Sequence, residues 1–300
     1  MIIRQYKSIS FAILAAALYA ISSPASKLLL REIPPTLMAS FLYLGAGIGM
    51  AIVGFIRHYR NNEKTEASLT KKELPYTIGM VALDIAAPIF LMVGLTMTTP
   101  ANASLLNNFE IVATSLIALL IFKESISKRL WYAISLIVLA SVILSVEDIG
   151  SFSFSIGSIF VLLACICWGL ENNCTRKLSV KDPLEIVVIK GFGSGIGSLL
   201  ISLLIGEHAD SIIYIILALI LGFVAYGLSI FFYIYAQREL GAAKTSAYYA
   251  IAPFIGVGLS LVIFREVPTI SFIIALVIMI IGTYFASTEG QDDQYSLKEE

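Results

Sequence analysis

Ten stretches of mostly apolar residues follow one another along the chain, at approximately 9–30, 36–56, 75–95, 101–122, 129–147, 155–177, 184–205, 211–236, 243–264 and 269–287. Each is close to the ~20 residues that a helix rising about 1.5 Å per residue needs to cross a hydrocarbon core of ~30 Å. Inside such a core no water is present to satisfy the backbone, so a run of this kind must close its hydrogen bonds within itself as a helix. The expected fold class is therefore an all-α integral membrane protein with ten transmembrane helices. Only 57–74 and the tail from 289 to 300 are long polar stretches, and neither is large enough to form a domain.

Composition closes off the other classes. The 300 residues are 58% hydrophobic and 14% charged, with a mean hydropathy of +0.88, too apolar for a soluble enzyme. Twenty Lys and Arg against twenty-one Asp and Glu give a net charge of -1, without the basic blocks of a nucleic-acid binder. Cys165, Cys167 and Cys174 share one apolar stretch, while His58 and His208 sit in separate connections. That pattern speaks against a disulfide scaffold, a metal cage or a cofactor site, and the cysteines read as small buried residues. The first apolar run, behind Arg4 and Lys7, has a secretory-signal look around 15–17. It is longer than a signal core of ~7–15 residues and leads into more membrane, so it is expected to be retained.

Positive charge sets the expected orientation, because Lys and Arg near span ends stay on the cytoplasmic side. With a cytoplasmic N-terminus the inner connections hold Arg4, Lys7, Arg57, Arg60, Lys64, Lys71, Lys72, Lys123, Lys128, Arg129, Arg176, Lys177, Lys181, Arg238, Lys244 and Lys298. The outer ones hold only Arg31 and Arg265. Both termini are then cytoplasmic, and the plasma membrane is the expected location.

The sequence also repeats itself. At an offset of 149, Pro34 meets Pro183, Lys27 meets Arg176 and Tyr19 meets Trp168. At an offset of 142, Ala101 meets Ala243, Ser104 meets Ser246, and Ile121-Phe122-Lys123-Glu124 meets Ile263-Phe264-Arg265-Glu266. Two five-span halves, 1–149 and 150–288, precede a polar tail, 289–300. Because five is odd, the second half enters from the opposite side, which predicts inverted repeats about a pseudo-two-fold axis in the membrane plane.

A basic residue ending the first span of each half (Lys27, Arg176), Trp168-Gly169, and the basic-Glu pair after each fourth span (Lys123-Glu124, Arg265-Glu266) resemble the EamA family of the drug/metabolite transporter superfamily. The resemblance extends over residues 9–287, and Tyr19 departs from the Trp often found in the first repeat. It implies ten helices and a cavity lined by spans 3, 4, 8 and 9, with contributions from 1 and 6. It further implies secondary transport, frequently export, of metabolites or amino acids.

Ionisable residues in mid-span cost at least ~2.5–3.5 kcal/mol to insert, which makes them functional candidates. Asp84 and Glu110 lie about ten and nine residues into spans 3 and 4, near ~14 Å depth from opposite sides. Two carboxylates facing one apolar site cannot easily both ionise, which suits proton coupling; the structural alternative is neutralisation by Asn107, Asn108 or Tyr226. Glu171 and Lys190 lie at matched depth nearer the cytoplasm and can form an ion pair, a gate or a substrate contact. Lys27 is expected to snorkel to the outer interface.

Ser104, Asn107 and Asn108 share one helical stripe that can face a cavity or another helix. In the matching part of span 9 stand Ser246, Tyr248 and Tyr249, and Pro253 is expected to kink that span. Tyr226 is the repeat counterpart of Asp84. With Tyr19, Trp168, Tyr233, Tyr248 and Tyr249 it offers aromatic faces suited to organic cations or to the ammonium end of an amino acid. Gly45-x-x-x-Gly49, Gly191-x-x-x-Gly195 and Gly193-x-x-x-Gly197 read as close helix packing.

These residues point to a carrier of small organic solutes such as amino acids or related metabolites, working by alternating access within the lipid bilayer and linked to protons. The sequence leaves monomer and homodimer both open. The alternatives are an importer or exchanger of another metabolite class, and a channel or structural membrane protein. No nucleotide loop, nucleophile or zinc-ligand spacing indicates an enzyme.

Overall fold

The computed structural model describes residues 2–60, 67–121, 123, 126–148, 153–240, 245 and 248–287. Among them nine helices are long and apolar enough to cross a bilayer: α1 (Ser8–Leu29), α2 (Pro35–Arg57), α3 (Leu74–Met97), α4 (Pro100–Leu120), α5 (Lys128–Ser145), α6 (Ile156–Leu178), α7 (Pro183–Leu204), α8 (Ile212–Ala236) and α10 (Ile270–Ser287). Between the last two lies a shorter apolar helix, α9 (Ala252–Phe264). A small antiparallel hairpin, Val146–Asp148 with Ser153–Phe154, joins α5 to α6; the all-helical expectation missed it. Glu124, Lys244, Ser246 and the tail 289–300 lie outside the described residues.

Helix starts follow local chemistry. Thr99 caps Asn102 N ahead of Pro100, Asp182 caps Leu184 N ahead of Pro183, and Ser127 and Ser155 cap α5 and α6. Each side-chain oxygen satisfies a backbone donor that the first turn leaves free, and Pro at the first position sacrifices none. The ends of α4 and α9 are marked by Lys123 at φ 60° and Arg265 at φ 53°, the two non-glycine residues with positive φ among those described. A left-handed residue closes a helix because it turns the chain back onto the last carbonyls, and a cation there also complements the helix dipole.

The expected kink of a continuous ninth span at Pro253 gives way to a different arrangement. Tyr248 and Tyr249 are helical, residues 250–251 form a turn, and Pro253 falls in the first turn of a new helix of 13 residues. Proline starts this helix because a first-turn N–H needs no partner. A comparable interruption occurs in α4, which runs Pro100–Leu106, tightens at Asn107 and Asn108 through bonds from Asn108 N to Leu105 O and Glu110 N to Asn107 O, and resumes at Phe109.

Helix pairing is specific. The α2 helix packs on α7, α5 on α10, the first part of α4 on α9, α3 on α6, and α1 on the second part of α8. At the α2–α7 contact a Cβ on Gly191 would lie 2.4 Å from Gly47 N, and where α8 crosses α2 a Cβ on Gly222 would lie 2.0 Å from the Leu42 carbonyl oxygen. Backbones this close exclude any side chain, as the glycine spacing predicted. Leu42, Tyr43, Leu91, Leu95, Leu106, Ile137, Trp168 and Tyr226 belong to one buried cluster. Phe55, Leu139, Ile196, Leu204, Ile216 and Ile280 are exposed around the outside, where lipid is the matching solvent.

Candidate functional site

Proline and a π-turn prepare the centre of the bundle. Pro88, inside α3, lacks the N–H that would bond the Asp84 carbonyl one turn earlier, so this backbone acceptor is released beside the Asp84 carboxylate. Facing it, Phe223–Leu228 of α8 forms a π-helical turn around Tyr226. Such turns are energetically poor unless the surrounding structure holds them, and they recur at functional sites.

Three ionisable side chains from three helices meet there. Lys190 Nζ on α7 lies 3.1 Å from Asp84 Oδ2 on α3 and 3.1 Å from Glu171 Oε1 on α6. Relative exposure is 0% for Asp84, 1% for Glu171 and 7% for Lys190. Tyr43 donates its hydroxyl to Asp84 Oδ1 at 2.9 Å, and Thr175 donates to Glu171 Oε1. The Trp168 indole lies against the Tyr43 hydroxyl. The Glu171–Lys190 pairing is as the matched depths indicated. Asp84 differs: its partners are Lys190 and Tyr43, not Asn107, Asn108 or Tyr226.

Glu110 stands apart from that triad. It follows the interruption in α4, and Asn172 Nδ2 donates to its Oε1 at 2.6 Å while also reaching Thr114 Oγ1 at 3.3 Å. Glu110, Asn172 and Thr114 are half-buried, unlike the triad. No hydrogen bond joins Glu110 to Asp84 among the described residues, so the expected carboxylate pair resolves into one carboxylate matched to a lysine and another held by a neutral amide.

Aromatic rings connect the two. Tyr43 packs against Tyr226 at 5.3 Å between centroids, Tyr226 against Tyr19 at 5.9 Å, Tyr19 against Tyr249 at 6.0 Å, and Tyr249 against Tyr233 at 5.0 Å. Ser22 donates to the Tyr226 hydroxyl at 3.0 Å. Tyr19 and Tyr249 are half-buried and within electrostatic reach of Glu110. Tyr248, by contrast, is exposed on the outside at 37% and takes no part in this cluster.

The polar stripe of α4 fans out and does not face one cavity. The Ser104 hydroxyl lies against Gly256 of α9, Asn107 against Cys165 of α6 at 4.0 Å, and Asn108 accepts from Thr283 of α10 at 3.2 Å while donating to Leu105 O at 3.0 Å. The tightened turn at 107–108 rotates successive side chains off a common stripe. Lys27 likewise does not snorkel: its Nζ donates to the Thr98 carbonyl at 3.0 Å and to that of Leu95, at the C-terminal end of α3. A cation suits that end of a helix. Two shallow clefts open near this end of the bundle, one lined by Leu30–Pro34 with Ile205–His208 and one beside Lys27, Thr99 and Asn102; none of the four central charges lines either.

Tyr43 and Asn172 were missed by sequence reasoning. Neither carries a charge, and only packing reveals that each contacts a carboxylate on another helix. No cluster of His, Cys, Asp and Glu suited to a metal occurs among the described residues.

Comparison with known proteins agrees with this architecture. The EamA-like transporter family matches residues 6–146 and 155–288. A protein of Methanothermobacter thermautotrophicus called an uncharacterized transporter is 28% identical, over 93% of this chain and 85% of its own length. The uncharacterized transporter YyaM of Bacillus subtilis is 24% identical, over 85% and 86%. A solved crystal structure superposes with a TM-score of 0.64 at 16% identity, covering 92% of this chain and 95% of its own, which speaks to the fold.

Proposed function

Because the chain belongs to the EamA-like transporter family, we propose that this membrane transporter is a secondary carrier that exports small organic solutes by alternating access, linked to proton movement through Glu110. The carrying observation is that Glu110 is a half-buried carboxylate at the centre of the bundle, held by Asn172 beside a wall of tyrosines, while the neighbouring carboxylates share one lysine. With all four groups ionised the centre holds three negative charges and one positive. Hydrocarbon surroundings penalise the surplus, and a proton or a cation taken up at Glu110 relieves part of it.

Alternating access needs two packings of similar energy, and two inverted five-helix halves, 1–149 and 150–288, provide them. Several observations support this reading. The helix pairs α2–α7, α4–α9 and α5–α10 are unchanged when each helix is exchanged for the one five places away, and α3–α6 becomes α8–α1. The left-handed helix ends at Lys123 and Arg265 are 142 residues apart, and the interruptions of α4 and of the segment leading into α9 fall at equivalent places. The Lys/Arg bias favours cytoplasmic termini in the plasma membrane. Export is favoured by the family resemblance, not by any single residue.

Reconstitution of the full chain into proteoliposomes tests the reading. Saturable solute flux that an imposed pH gradient drives, and that Glu110→Gln uncouples, is expected. Flux that rises linearly with concentration would replace the carrier with a channel.

A further inference from the structure

The charge balance of the centre narrows the solute further, and this step rests on the carrier reading above. An amino acid presents both an ammonium and a carboxylate, and in a dry site each needs a partner of opposite sign. Among the described residues the cation at the centre is Lys190, and it is already held at 3.1 Å by both Asp84 and Glu171, with Tyr43 and Thr175 filling further acceptor positions on those carboxylates. Lys190 is buried behind its partners, whereas Glu110 is half-buried and is held by a neutral amide. Lys27, the next lysine toward the outer end, is engaged with the carbonyls that close α3. A solute carboxylate entering beside Glu110 would therefore meet a carboxylate and find both lysines occupied.

The aromatic wall favours the opposite charge. Tyr19 and Tyr249 lie 6.0 Å apart with planes tilted by 33°, and Tyr233 stands edge-on to Tyr249. Their faces attract a cation electrostatically, and attract it more strongly where water is excluded. We propose that the solute class is organic monocations that lack a carboxylate, with the cationic nitrogen against Glu110 and its apolar substituents against Tyr19 and Tyr249. Zwitterionic amino acids are then disfavoured, because among the described residues the central lysine is already engaged by two carboxylates.

Matched permanently charged probes test this without leakage of a neutral base through the lipid. Counterflow of labelled choline and benzyltrimethylammonium in proteoliposomes is compared with that of glycine betaine, which keeps the quaternary nitrogen and adds a carboxylate, and with tyrosine. Saturable counterflow of both cations, with at least ~10-fold weaker competition by glycine betaine and tyrosine, is expected. Glu110→Gln should abolish cation counterflow, Glu110→Asp should restore part of it, and Tyr249→Leu should raise the KM for benzyltrimethylammonium more than that for choline. The Asp variant and a Tyr249 variant of unchanged melting temperature keep the result readable if the Gln variant folds poorly. Counterflow of tyrosine or glycine betaine equal to that of the cations overturns the inference and leaves the carrier intact. Absence of counterflow for every probe, zwitterionic or cationic, overturns the carrier reading and this inference with it.

Discussion

Removing Lys190 is the sharpest perturbation of the central cluster, because one side chain serves two buried carboxylates. At 3.1 Å from each, the Coulomb attraction is about 5 kcal/mol per pair at an effective dielectric of ~20. Desolvation of the ions offsets much of that gain, so the intact triad adds little net stability, whereas breaking it leaves Asp84 and Glu171 without their cation. Deleting one partner of a buried pair costs about 3–5 kcal/mol, and at ~2–4 °C per kcal/mol Lys190→Met should lower the melting temperature of the purified protein by roughly 6–20 °C. The triple variant Asp84→Asn, Glu171→Gln, Lys190→Met keeps the shapes, removes all three charges and should recover most of that loss. Thermal denaturation in detergent, followed by circular dichroism and by the monodisperse fraction in size exclusion, reads both. A melting point for Lys190→Met within ~2 °C of the parent, or a triple variant as unstable as the single one, would refute the buried triad as the organising feature of the site.

Three further outcomes follow from named contacts. Gly191→Ala should be destabilising by about 1–3 kcal/mol, since its Cβ would meet Gly47 N at 2.4 Å and well-packed contacts resist added volume; Gly258→Ala, with open space around its Cβ position, should be neutral or slightly stabilising in the same thermal assay. Lys27→Met should loosen the end of α3, read as faster labelling of a cysteine at Thr98 by a membrane-impermeant thiol reagent. Glu73, ahead of α3, accepts from Thr70 N at 2.8 Å and Thr70 Oγ1 at 2.6 Å and pairs with Lys181 at 3.5 Å, and the Thr70 bonds hold its carboxyl below the usual range. A depressed folded value gives stability that is present above the ordinary glutamate range and lost as pH falls through the folded value, so the difference between the parent and Glu73→Gln should be constant near neutrality and vanish in acid.

Much of the fold was legible because hydropathy and depth are one-dimensional quantities. A run of ~20 apolar residues fixes a span, proline and small polar residues fix its start, and the count from the span end places Asp84, Glu110, Glu171 and Lys190 in mid-span. Rotation about the helix axis and the choice of neighbour are not encoded in that count. Hence Asp84 was identified and its partners were not: Tyr43 comes from α2, and Lys190 bridges α3 to α6. The same gap explains Ser104, Asn107 and Asn108, whose shared stripe assumed a regular helix where the chain tightens by i to i+3 bonding. Lys27 was read from its nearness to the interface, whereas the exposed carbonyls of Leu95 and Thr98 offered it a closer partner. The π-turn at Phe223–Leu228 has no signature in composition or periodicity.

The two proposed halves match in packing and differ in charge, and that difference bears on mechanism. At the repeat offsets Asp84 corresponds to Tyr226, Glu171 to Ser22, Lys190 to Phe41 and Glu110 to Ala252. The neutral hydrogen bond from Ser22 on α1 to Tyr226 on α8 at 3.0 Å therefore stands at the positions that the repeat offsets equate with Glu171 and Asp84, and both it and the triad cross between the two proposed halves. In the proposed alternating-access cycle, exchanging the conformations of two equivalent halves would leave the helix contacts nearly equal in energy, so that both states could be populated. At the repeat offsets none of these four charges has a charged counterpart, so under the proposed carrier reading a proton or cation at Glu110 has no equivalent site across the pseudo-two-fold. A ligand shifts an equilibrium only by its differential affinity for the two states. Under the proposed carrier reading that differential would reside where the central charges sit, on α3, α4, α6 and α7.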